Sequence, residues 1–156
     1  LTMDDFEQTK FYATKAYRAN PNNPHVLSIY GESLLRNGDI DTAIKIFEKM
    51  HELEPIVASD VNSDRPIQTI MFAYYLNGNL DKCKELFDKV ENFNTKAWLS
   101  LIDLHIDNKK NYKNETWYEM GLKKFKDVNW KEEIKTFHLG DKNIVNRLQN
   151  TSNVLG

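Results

Sequence analysis

The side chains best suited to metal binding or nucleophilic attack are four histidines and one cysteine: His25, His51, His105, His138 and Cys83. A metal centre needs three or four donors brought to one point, as an H-x3-H pair or an H-E-x-x-H run on a helix would do. Neither pattern occurs, and the histidines fall on separate segments. His51 opens the run HELE near an expected helix end, where an imidazolium meets the negative end of the dipole. His105 takes a small-residue place on its helix and is expected to be semi-buried. One cysteine allows neither a disulfide nor a thiolate zinc site, and Cys83 is assigned to the core. The acidic pairs Asp4/Asp5, Asp39/Asp41 and Glu132/Glu133 read as helix starts or solvated faces. Six glycines include no G-x-G-x-x-G and no G-K-[ST], so no phosphate loop is expected. No nucleophile has a base beside it. The expectation is a non-enzymatic chain with no catalytic residues, no cofactor and no metal.

Binding is then the remaining class, and charge limits the partner. The 156 residues, 40% hydrophobic and 28% charged, fit one domain over 1–156 with much surface per residue. Net charge is −2, unevenly spread: residues 1–95 hold 10 basic and 15 acidic groups, residues 96–156 hold 11 and 8. Lys109, Lys110, Lys113, Lys123, Lys124 and Lys126, with Trp98, Trp117 and Trp130, are the one stretch that could suggest a nucleic-acid face. Interleaving is poor and Arg147 is the sole arginine there, so a solvated face is the reading and nucleic acid is not the expected partner. The best apolar run, Ile70–Leu76, is far too short to span a bilayer, and the opening LTMDDFEQTK is unlike a signal peptide. A cytoplasmic, non-membrane setting is expected.

The elements that would position a binding surface are helical. Leu27, Tyr30, Leu34 and then Ile40, Ala43, Ile44, Phe47 recur at intervals of three and four; Ile67, Ile70, Met71, Tyr74 and Leu80, Cys83, Phe87, Val90 repeat the pair. No window alternates strictly. Helices are expected at about 4–19, 24–37, 40–53, 66–77, 80–91, 95–108, 114–126, 129–138 and 141–150. Asn37-Gly38 and Asn77-Gly78 should end two of them, with Asp39 or Asn79 capping the next, and Pro24 and Pro66 opening others. The stretches Arg36–Met50 and Leu76–Val90 share five identities 40 residues apart, so one unit is written twice.

That unit, Leu27-x2-Tyr30-Gly31-x2-Leu34 followed by Ala43-x3-Phe47 and Pro55, resembles the tetratricopeptide repeat; Pro21 to Pro55 spans its 34-residue period. The resemblance covers about 9–95, weakens over 96–128, where Gly121 and Phe125 take the roles of small residue and aromatic, and stops beyond. It implies an all-α solenoid of antiparallel helix pairs with C-terminal capping helices. Gly31, Ala43 and Cys83 would let paired helices approach, and Phe47 and Phe87 would fill the space between pairs. The longer spacing between the two copies places extra residues in IVASDVNSDRP, as a loop or a lengthened helix end. The chain opens on the second helix of a repeat, and we read it as part of a longer protein rather than as a lone capping helix.

The resemblance also implies a concave groove lined by the first helix of each pair: Ser28, Glu32, Leu35 and Arg36, then Gln68, Phe72, Tyr75 and Leu76, then Leu99, Ile102 and Ile106. Such a groove would take a protein or peptide partner, with self-association also open. The Lys and Asn clamp by which some members hold peptide C-termini is absent, since Ser28, Glu32, Gln68 and Phe72 occupy the comparable places. The closing FHLGDKNIVNRLQNTSNVLG is similar to tails that follow such repeats in bacterial transcription activators and signalling cyclases. The function expected is therefore a protein-interaction module in the regulatory part of a larger bacterial protein. The alternative is a small stand-alone chaperone or adaptor of the secretion-chaperone kind.

Overall fold

The computed structural model describes residues 3–53 and 64–155; Pro55 and the start of the expected insertion lie outside them. The described residues form nine α-helices and no strand, an α-solenoid of helix pairs. In chain order these are α1 (Met3–Ala19), α2 (Pro24–Arg36), α3 (Ile40–Leu53), α4 (Asp64–Asn77), α5 (Leu80–Phe87), α6 (Thr95–Asp107), α7 (Thr116–Lys124), α8 (Trp130–Lys135) and α9 (Lys142–Val154). Expected boundaries differ by a few residues; α4 starts earlier than expected, so part of the insertion lengthens that helix.

Short polar caps start the helices. Asn23 Oδ1 accepts from the amides of His25 (2.9 Å) and Val26 (3.2 Å), with Pro24 at the first helical position. Asn79, Asn94, Asn129 and Asp141 do the same for α5, α6, α8 and α9. Helices α2 and α4 end alike. Gly38 and Gly78 take positive φ, 82° and 79°, and Asp39 and Asn79 send their amides back to Leu34 and Tyr74 carbonyls at 2.9 Å. A third copy of this turn closes α6, where Lys109 has φ 55° and Lys110 N–H reaches the His105 carbonyl at 2.8 Å. The third helix pair is thus written with lysine where the first two use glycine.

Successive helices pack as α1 on α2, α2 with α3, α3 on α4, α4 with α5, and both of those on α6; α9 returns against α6 and α8. Small residues set the approach. A Cβ on Gly31 would lie 2.5 Å from Phe47 Cε1, and one on Gly121 would collide with the Trp98 indole. Ala43, Phe47, Cys83 and Phe87 are buried in one continuous core that reaches Leu148. Stacking of Tyr17 on Tyr30 (4.5 Å) and the Tyr74 hydroxyl donating to Glu48 Oε1 (2.9 Å) add sequence-distant ties along the stack. Trp98 is buried at the centre of a second aromatic cluster, with Tyr118, Phe125 and Trp130 around it. Trp98 is thus internal packing, and Trp117 and Trp130 are half-buried against the same core.

Candidate functional site

A cavity of about 500 Å³ opens between α2, α4, the start of α6 and the segment linking α8 to α9. Its size suits a few side chains of a bound partner. Leu35 and Ile40, then Phe72 and Leu76, supply apolar wall on one side; Phe137, Leu139 and Ile144 supply it on the other. Between them stand Glu32 and Arg36 from α2, Gln68 from α4, Lys96 from α6, and Glu133, His138 and Asp141 from the closing segment.

Of the eleven groove residues expected from sequence, the cavity brings together Glu32, Leu35, Arg36, Gln68, Phe72 and Leu76. The other five are elsewhere. Tyr75, Leu99 and Ile102 are buried in the core, and Ser28 is half-buried off the cavity wall. Ile106, also expected there, is exposed and distant from it. On α6 part of the reason is α9, which packs on that helix and sends Arg147 and Thr151 to Asp103, one turn beyond Leu99. Gln68 has a structural task too: its Oε1 accepts from the Asn94 amide at 2.9 Å, tying α4 to the start of α6.

Sequence reasoning missed Lys96. Its Nζ lies 4.0 Å from the centroid of the Phe72 ring, a cation–π contact. Burial pushes its pKa down to about 8; the Arg36 guanidinium adds to this and the Glu32 carboxylate opposes it. No carboxylate stands within ion-pair distance of it among the described residues. The nearby acids are otherwise engaged. Glu133 Oε1 accepts from the Thr95 hydroxyl at 2.5 Å, and Asp141 caps α9. The one available signal was TKAW after a capping asparagine, which puts Lys96 in a first turn beside the groove.

The other candidates for chemistry resolve into structure. His105 is fully buried rather than semi-buried, its Nδ1 is 2.8 Å from the Leu101 carbonyl, and burial lowers its pKa. Burial likewise raises the Cys83 thiol to about 12, and its Sγ donates to the Met71 carbonyl at 3.3 Å, so it stays protonated. No group of three metal-ligating side chains gathers among the described residues. No helix among them is long and apolar enough to cross a membrane. Lys124, in the lysine-rich stretch, is held by Asn92 Oδ1 and the Phe93 carbonyl.

The model of the PPR repeat family matches residues 32–54 and 68–94, which run from within α2 through α3 and from within α4 to the cap of α6. Over these two segments, about a third of the chain, the sequence is similar to PPR repeats, helical repeats similar in kind to the tetratricopeptide repeat, and the segments supply the α2 and α4 side of the cavity. Stacked repeats of this sort form scaffolds that bind protein or RNA. No curated protein matches the sequence.

Proposed function

We propose that this chain is a non-enzymatic binding scaffold that holds a peptide segment of a partner protein in the cavity between α2, α4, α6 and the α8–α9 link. The observation that carries the reading is the cavity wall, in which apolar side chains from α2, α3, α4, α9 and the α8–α9 link stand beside a few charges of both signs. An apolar anchor with a polar contact beside it fits such a wall. The tetratricopeptide likeness supports a protein partner, and the closing segment's similarity to regulatory tails supports a cytoplasmic regulatory role within a larger bacterial signalling or transcription protein.

A second reading is favoured by the PPR match, since PPR repeats read single-stranded RNA bases from successive helices. Charge weighs against it here. Glu32, Glu133 and Asp141 share the cavity with Arg36 and Lys96, so the wall repels a polyanion rather than drawing it in. The tryptophans pack against the core and none of them lines the cavity as a stacking platform.

Selection of random dodecapeptides displayed on phage, with binders mapped by methyl NMR, tests the two against each other. Peptides that shift the Leu35, Leu76 and Ile144 methyls support the peptide reading. Failure to select any, together with binding of single-stranded RNA that weakens steeply with salt, would replace it with the RNA reading.

A further inference from the structure

Among the described residues around the cavity, Lys96 is a cation with no carboxylate at ion-pair distance. Lys96 enters from the first turn of α6, its stem half-buried and its ammonium over the Phe72 ring. The α6 terminus adds the positive end of a helix dipole at the same place. Of the other acids lining the cavity, Glu133 on α8 accepts from Thr95 and Asp141 caps α9, so both are held in place by neutral donors away from ion-pair distance of Lys96. Glu32 on α2 is offset by Arg36, one turn further along the same helix. From α4, the residues lining the cavity are Gln68, Thr69, Phe72 and Leu76, none of them charged. His138, on the α8–α9 link, also lines the cavity.

Resting on the peptide reading above, we propose that the cavity selects peptides by an acidic side chain, Asp or Glu, that pairs with Lys96 while apolar neighbours of that residue fill the walls on either side. A single carboxylate suits the site. It supplies one negative charge to a desolvated ammonium, where the interaction is stronger than in water. A phosphate or a polyanionic strand would bring more charge against Glu32, Glu133 and Asp141.

Binding is then linked to protons. The free chain holds Lys96 only partly protonated above pH about 8, and a bound carboxylate restores the ammonium, so complex formation takes up a proton. Affinity for an acid-bearing peptide falls by about tenfold between pH 7 and pH 9.

The test uses the selected dodecapeptides on the whole chain, its Lys96→Met variant and its Lys96→Arg variant, with Kd from isothermal titration. Expected are peptides enriched in Asp or Glu between apolar residues. Exchanging that acid for its amide weakens binding about tenfold to the unaltered chain and less than threefold to Lys96→Met. Lys96→Arg retains the preference for acid and loses the pH dependence. Peptides that map to the cavity without acid enrichment, or an equal amide penalty in both chains, would overturn the Lys96 assignment and leave the peptide reading standing. Absence of any cavity-directed peptide, or displacement of every peptide by a single-stranded oligouridylate, would overturn both.

Discussion

The Tyr75 hydroxyl donates to Asp103 Oδ2 at 2.7 Å, joining the first helix of one repeat to the first helix of the next through a buried bond. Two further donors come from α9: Arg147 Nη2 to the same oxygen at 2.8 Å and the Thr151 hydroxyl to Oδ1 at 2.9 Å. Asp103 is therefore the point where α4, α6 and the returning C-terminal helix are fixed to one another. Its burial is tolerable because three donors surround the carboxylate. Burial and this neighbouring carboxylate together raise the Tyr75 phenol far above its ordinary range, so it remains a donor.

Removing the shared acceptor should cost more than removing any one donor. Asp103→Ala leaves two buried hydroxyls unpaired, at about 1–3 kcal/mol for each group, so a loss of roughly 3–5 kcal/mol is expected. Tyr75→Phe keeps two of the three bonds and should cost about 1–2 kcal/mol. Urea titrations of both variants check the order. Equal losses would mean that Asp103 is held by Tyr75 alone and that α9 is not anchored there.

The pairing of Gly31 with Phe47 gives a second stability test. Phe47 is fully buried with its ring against the glycine, so Phe47→Ala should remove about 3–5 kcal/mol. Gly31→Ala puts a methyl into that ring and should cost about 1–3 kcal/mol by overpacking despite the better helix propensity of alanine. A Gly31→Ala variant more stable than the unaltered chain in thermal unfolding would show that Phe47 can swing away.

Much of this was legible in the sequence, and the parts that were not have physical reasons. Apolar spacing and the Asn-Gly pairs marked α2 to α5 because both copies keep the residues that packing and the left-handed turn require. The third pair was blurred because its turn uses Asn108-Lys109, which composition alone does not flag. The groove was legible on α2 and α4, where Leu35, Phe72 and Leu76 reach the cavity. On α6, Leu99 and Ile102 lie in the core rather than on the cavity wall; α4, α5 and, some forty residues further along, α9 all pack on that helix, and periodicity within one helix cannot say what will lie on it. Tyr75 was lost from the groove in the same way, through its bond to Asp103.

Lys109 offers a gain rather than a loss. A residue with a Cβ in the left-handed region is disfavoured relative to glycine, and Gly38 and Gly78 show what the same turn uses elsewhere. Lys109→Gly should stabilise the chain by about 0.5–1 kcal/mol, and the converse Gly38→Ala should destabilise it by a similar amount. Both shifts are measurable as changes in the urea midpoint at constant slope.

The last expectation concerns Lys96 and separates stability from binding. Its pKa is lowered from 10.5 to about 8, so the folded chain releases the proton more readily than the unfolded chain does. Holding the ammonium desolvated at pH 7 therefore costs stability. That cost is fully present below about pH 8 and fades as pH rises toward 10.5, because the unfolded state then binds more protons than the folded state across that window. Lys96→Met, which keeps most of the stem and puts an apolar end in place of the ammonium over Phe72, should thus be more stable than the unaltered chain at pH 7, with an advantage that shrinks by pH 10. Paired urea titrations at the two pH values read the difference directly. A constant advantage would point to packing alone, whereas a stability loss at pH 7 would mean that Lys96 already has a counter-charge in the free chain. The expected sign is that of an ammonium desolvated without an ion-pair partner in the free chain, the partner that the proposed acidic peptide would supply.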